Sequence, residues 1–252
     1  MVPHLPPRLP KLRLPLLHLQ CLLAALCLVA GAASAGPWPR AKGDLFLSFS
    51  HETAGETGSE SGGWTSLYAE YGLTPRWTLG FDLGSGGDTQ IGMIFLQRAV
   101  GKQDGPGRLS LSSGLGLQTG AAPQAFGTMG AAWGRSLGTP LGPGWVAVEP
   151  QLRMGVALTD EWPPTLVLDV DGTVLTTASA KLDLTLGATV RPKLMVMGQL
   201  QMERVLEGET TARLTASAVR DVGRRGKLQL GVSAPVQGEG DAALKLGTWL
   251  EF

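Results

Sequence analysis

The sequence predicts an all-β chain: a transmembrane, antiparallel, up-and-down β-barrel of about 12 strands that follows a cleaved signal peptide. Three observations predict it. The first 35 residues have the makeup of an export leader. The remainder alternates apolar and polar residues with a period of two, and Gly, Pro and Asp break that alternation at intervals of roughly ten residues. No later segment shows a helical apolar stripe or a run of about 18 apolar residues.

Residues 1–13 are proline-rich and carry Arg8, Lys11 and Arg13 without an acid. Residues 21–35 are apolar or small and end in Ala33-Ser34-Ala35. A basic region, a short apolar core and a small-residue site make a Sec signal peptide, with cleavage expected after Ala35. A spanning helix would need about 20 apolar residues, and His18 and Gln20 interrupt the run. Leu26, before Cys27, is not the small residue that lipoprotein processing requires.

Both cysteines, Cys21 and Cys27, fall in the leader. Beyond residue 35 the chain has one histidine, His51, with 18 basic and 21 acidic side chains. That composition excludes a thiol nucleophile, a disulfide scaffold and a Cys-rich zinc site. A charge near zero without a basic tract argues against nucleic acid. No cofactor and no metal centre are expected.

Twelve alternating stretches follow, near 43–52, 64–72, 76–84, 89–99, 107–118, 126–136, 144–156, 179–190, 193–205, 210–220, 226–234 and 242–252. The clearest puts Leu182, Leu184, Leu186, Ala188 and Val190 on one face, with Lys181, Asp183, Thr185 and Thr189 on the other. The stretches at 89–99 and 126–136 have no evident polar face. Residues 36–42 are expected to be a periplasmic N-terminal segment and 43–252 the barrel. The polar faces offer Glu70, Asp82, Glu149, Gln151, Arg153, Lys181, Asp183, Gln199, Gln201, Glu203, Arg213, Lys227 and Lys245 as lumen-lining residues. Tyr71, Trp77 and Phe252 stand on the apolar face at strand ends, where an interfacial aromatic girdle belongs. Pro150, mid-strand and without an N–H, predicts a bulge.

The leader, the hairpin Tyr71-Gly-Leu-Thr-Pro-Arg-Trp-Thr-Leu-Gly80 and the terminal Leu246-Gly-Thr-Trp-Leu-Glu-Phe252 together resemble a Gram-negative outer-membrane β-barrel protein. The resemblance implies residence in the cell outer membrane among lipid and lipopolysaccharide. It also implies recognition of the C-terminal strand, ending in Phe252, by the outer-membrane barrel assembly machinery. It specifies a class and no substrate, and leaves the oligomeric state open.

Charge distinguishes the two ends. With both termini periplasmic, the outward connections and their edges hold Glu52, Glu56, Glu60, Asp88, Asp160, Glu161, Asp169, Asp171, Glu207, Glu209, Glu239 and Asp241 against one base, Arg204. The inward edges hold Arg76, Arg98, Lys102, Arg108, Arg135, Arg191, Lys193, Arg220, Arg224 and Arg225, with Asp104 and Asp221 as the acids. Acidic loops keep an outer face soluble; their oxygens also suit divalent cations that bridge lipopolysaccharide phosphates.

Two catalytic look-alikes fail for want of context. Val167-Leu-Asp-Val-Asp-Gly-Thr-Val-Leu175 matches the first motif of haloacid-dehalogenase-like phosphatases, but no βαβ pattern or Asp-Asp pair follows. Asp169, Asp171 and Gly172 fit a tight turn instead. Gly134-Arg-Ser-Leu-Gly138 matches a serine-hydrolase elbow without a strand-to-helix turn or a nearby histidine. No catalytic residues are expected. Three functions compete: a narrow passive channel for small hydrophilic solutes, a structural or surface-interaction barrel plugged by salt bridges such as Glu149 and Asp183 with Arg153 and Lys181, and an outer-membrane lipid hydrolase using His51 beside Ser50 or Ser61.

Overall fold

The computed structural model describes residues 36–53, 63–120, 122–161, 163–169, 171–206 and 208–252. The leader, Glu56, Glu60, Ser61 and Glu207 lie outside the described residues. Among those described, twelve strands run β1 (Leu45–Glu52), β2 (Trp64–Thr74), β3 (Trp77–Gly86), β4 (Thr89–Val100), β5 (Gly107–Thr119), β6 (Gln124–Thr139), β7 (Gly142–Ala157), β8 (Thr176–Arg191), β9 (Leu194–Val205), β10 (Thr210–Val222), β11 (Gly226–Gln237) and β12 (Ala243–Glu251). Each pairs antiparallel with its sequence neighbours, and β1 closes on β12 with Phe46 opposite Glu251 and Glu52 opposite Lys245. The amides of Leu45 and Phe252 bond each other's carbonyls at 3.0 and 2.9 Å, fastening the start of β1 to the residue after β12. Closure leaves no sheet edge unpaired, which is the condition for crossing hydrocarbon with strands.

Alternation assigns the two faces. Leu115, Met129 and Met154 are each more than 70% exposed on the outside, while Phe46, Phe126, Trp145 and Trp249 are buried inside. An apolar exterior with no packing partner is the arrangement lipid demands. Arg98, Arg204 and Arg220 share the outer face but only near strand ends, where long cationic side chains reach the interface. Trp77 and Phe252 stand there too, with Arg98 and Arg225 lying 5.4 and 5.5 Å from their ring centres.

Pro150 does not make the expected bulge. Gly130 faces Gln151 and Trp133 faces Val148 in one continuous register, and the ladder lapses only between them. On the other side Pro150 still faces Leu182. The missing N–H therefore weakens one pairing without adding a residue to the strand. Irregularities fall instead at Gly72/Thr74, Thr189/Arg191 and Ala212/Arg213.

Short turns gather at one end of the barrel and longer connections at the other. In the longest connection, Leu168 bridges Val174, and Gly172, at φ 81°, donates to the Asp169 carbonyl at 2.9 Å. The phosphatase-like motif is thus the tip of a tight hairpin, with no helix after it. The elbow-like Gly134–Gly138 run lies within β6, where Ser136 faces Trp145.

Candidate functional site: the barrel interior

The cross-strand register puts Glu70, Asp82, Glu149, Gln151, Arg153, Lys181, Asp183, Gln199, Gln201, Glu203, Arg213, Lys227 and Lys245 on the face opposite the exposed leucines. They fall into separate clusters along the interior. Near the loop end, Glu52 meets Lys245 at 2.8 Å and Arg213 at 3.9 Å, and accepts from the Ser233 hydroxyl at 3.1 Å. Near the turn end, Lys227 meets Glu251 at 3.0 Å, and Trp249 Nε1 donates to Gln229 at 3.2 Å. Glu203 accepts from Ser179 at 3.0 Å.

Between these clusters a cavity of about 190 Å³ is lined by Asp82, Glu149, Gln151, Arg153, Lys181 and Asp183, with Tyr68, Phe95 and Gln97. Lys181 reaches Asp183 at 3.0 Å. Arg153 pairs with neither carboxylate proposed for it; its guanidinium lies 4.4 Å from the Phe126 ring centre. Its Nε and Asp183 Oδ1 are buried without hydrogen-bond partners. The large concavities among Leu83, Ile94, Leu115, Leu117 and Met154 lie instead along the apolar outer wall.

Residues 36–42 run across the interior rather than beside it. The Gly36 carbonyl accepts from Gln97 on β4. Pro37 is fully buried, and a β-carbon on Gly134 of β6 would overlap Pro37 and approach Trp38. Arg40 Nε donates to Glu70 Oε2 on β2 at 2.6 Å, its N–H donates to Thr78 on β3 at 3.2 Å, and its guanidinium lies 4.3 Å from the Phe46 ring centre. A β-carbon on Gly72 would overlap the Ala41 carbonyl. The segment forms a crossbar from the β4–β7 side of the barrel to β2.

The crossbar divides the interior. On the turn side, Glu70, Thr78, Ala99, Ser110, Ala147 and Val219 are buried. Phe46, Tyr68, Phe95 and Trp249 form edge-on and tilted ring contacts 5.8 to 6.4 Å apart. Toward the loops the inward positions open: Thr215 is buried, Arg213 half-buried and Thr211 exposed along one strand.

Sequence reasoning missed the crossbar and its aromatic bed. Ile91, Met93 and Phe95 face inward and Gln90 and Arg98 outward, which is why β4 gave no polar face. His51 stands on the outer face, its Nδ1 2.9 Å from Thr65 Oγ1. Ser50 points inward, where it bonds Ser66 at 2.8 Å. The two cannot meet as base and nucleophile.

A closed twelve-strand barrel with this exterior and interior has the fold of outer-membrane β-barrels. Among solved structures it is similar to the KdgM porin, with a TM-score of 0.53, 9% identity, and coverage of 82% of this chain and 99% of that one. It is similar to the NanC porin at a TM-score of 0.54, 9% identity, and coverage of 82% and 98%. An outer-membrane channel from Pseudomonas putida F1 matches at a TM-score of 0.50, 14% identity, and coverage of 87% and 100%. No family model matches the sequence, and no curated protein does.

Proposed function

We propose that the protein is an outer-membrane channel for small hydrophilic solutes that rests closed, with residues 36–42 as its closing element. One observation carries the reading. Residues 36–42 lie across the interior, and Gly72 and Gly134 leave that segment room. Carboxylates and cations share the polar interior, which suits small solutes of either sign over a polyanion or polycation. The turn end, ringed by arginine and lysine, faces the periplasm, and the acidic loops face lipopolysaccharide and its divalent cations. Assembly proceeds through the outer-membrane machinery, guided by the C-terminal strand.

The test is planar-bilayer conductance. The chain beginning at Gly36 is expected to be silent or to open rarely, and a chain beginning at Gly43 to give stable current steps. Silence from both would remove the channel reading in favour of a structural barrel, which the aromatic packing of Phe46, Tyr68, Phe95 and Trp249 supports.

A further inference from the structure

The interior cavity is lined by three carboxylates, Asp82, Glu149 and Asp183, and two cations, Arg153 and Lys181. Lys181 is engaged with Asp183, and Arg153 lies over Phe126. Glu149 has no hydrogen-bond or ion-pair partner among the described residues. A carboxylate enclosed in a barrel interior without a directly bonded counter-charge is unfavourable.

What faces Glu149 is the main chain of Gly36. A β-carbon there would overlap Oε1 and stand 3.0 Å from Cδ, and its φ of 124° is one that side chains rarely adopt. Gln97 holds the Gly36 carbonyl and is itself bonded to Ser110. The Gly36 nitrogen is one bond from the Cα that faces this carboxylate. Residue 36 is also the first residue after the Ala33-Ser34-Ala35 cleavage signal.

We propose that hydrolysis of the Ala35–Gly36 bond by a signal peptidase creates an α-ammonium at Gly36 that pairs with Glu149 inside the barrel. Water adds its hydroxyl to the Ala35 carbonyl carbon as the C–N bond breaks. One proton of that water goes to the leaving nitrogen, and the proton released by the new Ala35 carboxyl completes the ammonium. An uncleaved chain offers only a neutral amide. The new charge brings the cavity lining to three cations against three carboxylates. The crossbar is then anchored twice, by Gly36 on Glu149 and by Arg40 on Glu70. Processing thus creates the contact that secures the segment. The inference rests on the placement of Gly36 and is independent of whether the barrel conducts.

The test uses protein expressed with its own leader and extracted from outer membranes in detergent. Intact mass is expected to place the first residue at Gly36; any other start overturns the proposal. Folded protein is then treated with acetic anhydride near neutral pH and the N-terminal peptide followed by mass spectrometry. Acetylation is expected at least tenfold slower than in the heat-unfolded chain, and Glu149→Gln is expected to abolish most of that protection. Equal rates in folded and unfolded wild type overturn the proposal. Strong protection that survives Glu149→Gln overturns the ion pair and leaves simple burial. Should Glu149→Gln fail to fold, Gly36→Ala, whose methyl would push the Glu149 carboxylate aside at a φ that side chains rarely adopt, is expected to lose the protection in the same way. Retained protection there overturns the proposed contact.

Discussion

Arg40 and Glu70 meet at 2.6 Å inside the barrel, and Glu70, 1% exposed, is also bonded by the Tyr68 hydroxyl at 2.7 Å. A residue from outside the strands supplies the cation that this carboxylate meets. Arg40→Ala is therefore expected to leave a buried charge without its partner, at a cost of about 3 kcal/mol. Arg40→Ala combined with Glu70→Gln should recover part of that loss. Urea unfolding of the detergent-refolded variants measures both; an Arg40→Ala barrel as stable as wild type would show the pair to be energetically idle.

Gly72 supplies a second handle on the same segment. Its backbone bonds Gly43 at 2.8 Å and Asp44 at 3.0 Å, and a β-carbon there would strike the Ala41 carbonyl, a backbone group that cannot turn aside. Gly72→Ala is expected to lift residues 36–42 while the strands stay paired. Trypsin should then cut at Arg40 and Lys42 roughly tenfold faster, with the rest of the barrel resistant. Gly198→Ala, where a β-carbon meets open space, is the control and should change nothing. Equal cleavage of both variants would mean that Gly72 does not hold the segment.

The wall of this barrel was legible because lipid imposes a simple rule. Lys181 to Val190 alternates without fault, and the structure pairs Leu182, Leu184 and Leu186 on the outer face. The rule fails where the interior is packed rather than wet. Phe95 and Phe126 face inward, against the Tyr68 ring and the Arg153 guanidinium, so apolar residues occupy both faces of β4 and β6. Periodicity cannot distinguish such a residue from one facing lipid. The crossbar was invisible for a related reason: Gly36 to Lys42 has no period, and its site exists only once distant strands have closed around it. Arg153 shows the limit for charges, since sequence spacing offered it Glu149 and Asp183 while the fold put an aromatic face within reach.

The two faces should also differ in their tolerance of charge. Leu186 lies within β8 on the apolar outer wall and is 56% exposed. Leu186→Arg is expected to cost about 2–4 kcal/mol, the penalty of a guanidinium near the bilayer midplane. Gln199→Arg, on the interior face opposite Thr185, should cost clearly less because its charge enters a polar space. Folding yields into liposomes across a urea series measure the difference. Equal penalties, or a larger one for Gln199, would reverse the assignment of the faces.

At the loop end, the hairpin tip offers a test by pH. Asp171 Oδ1 accepts from the Thr173 hydroxyl at 2.7 Å and from the Thr173 N–H at 3.0 Å. Those bonds, the hydroxyl first, hold its carboxyl below the ordinary aspartate value of 3.8. A carboxyl favoured in its charged form by the folded loop stabilises that loop above the ordinary value. The contribution fades as pH falls through the lowered one. The Thr173 amide resonance of the detergent-solubilised protein should therefore stay in its hydrogen-bonded position from neutral pH down to about 4 and move below that. In Asp171→Asn, which keeps an acceptor but cannot titrate, the resonance should not move over the same range. A Thr173 resonance that shifts in the Asn variant as it does in wild type would mean that another group governs the tip.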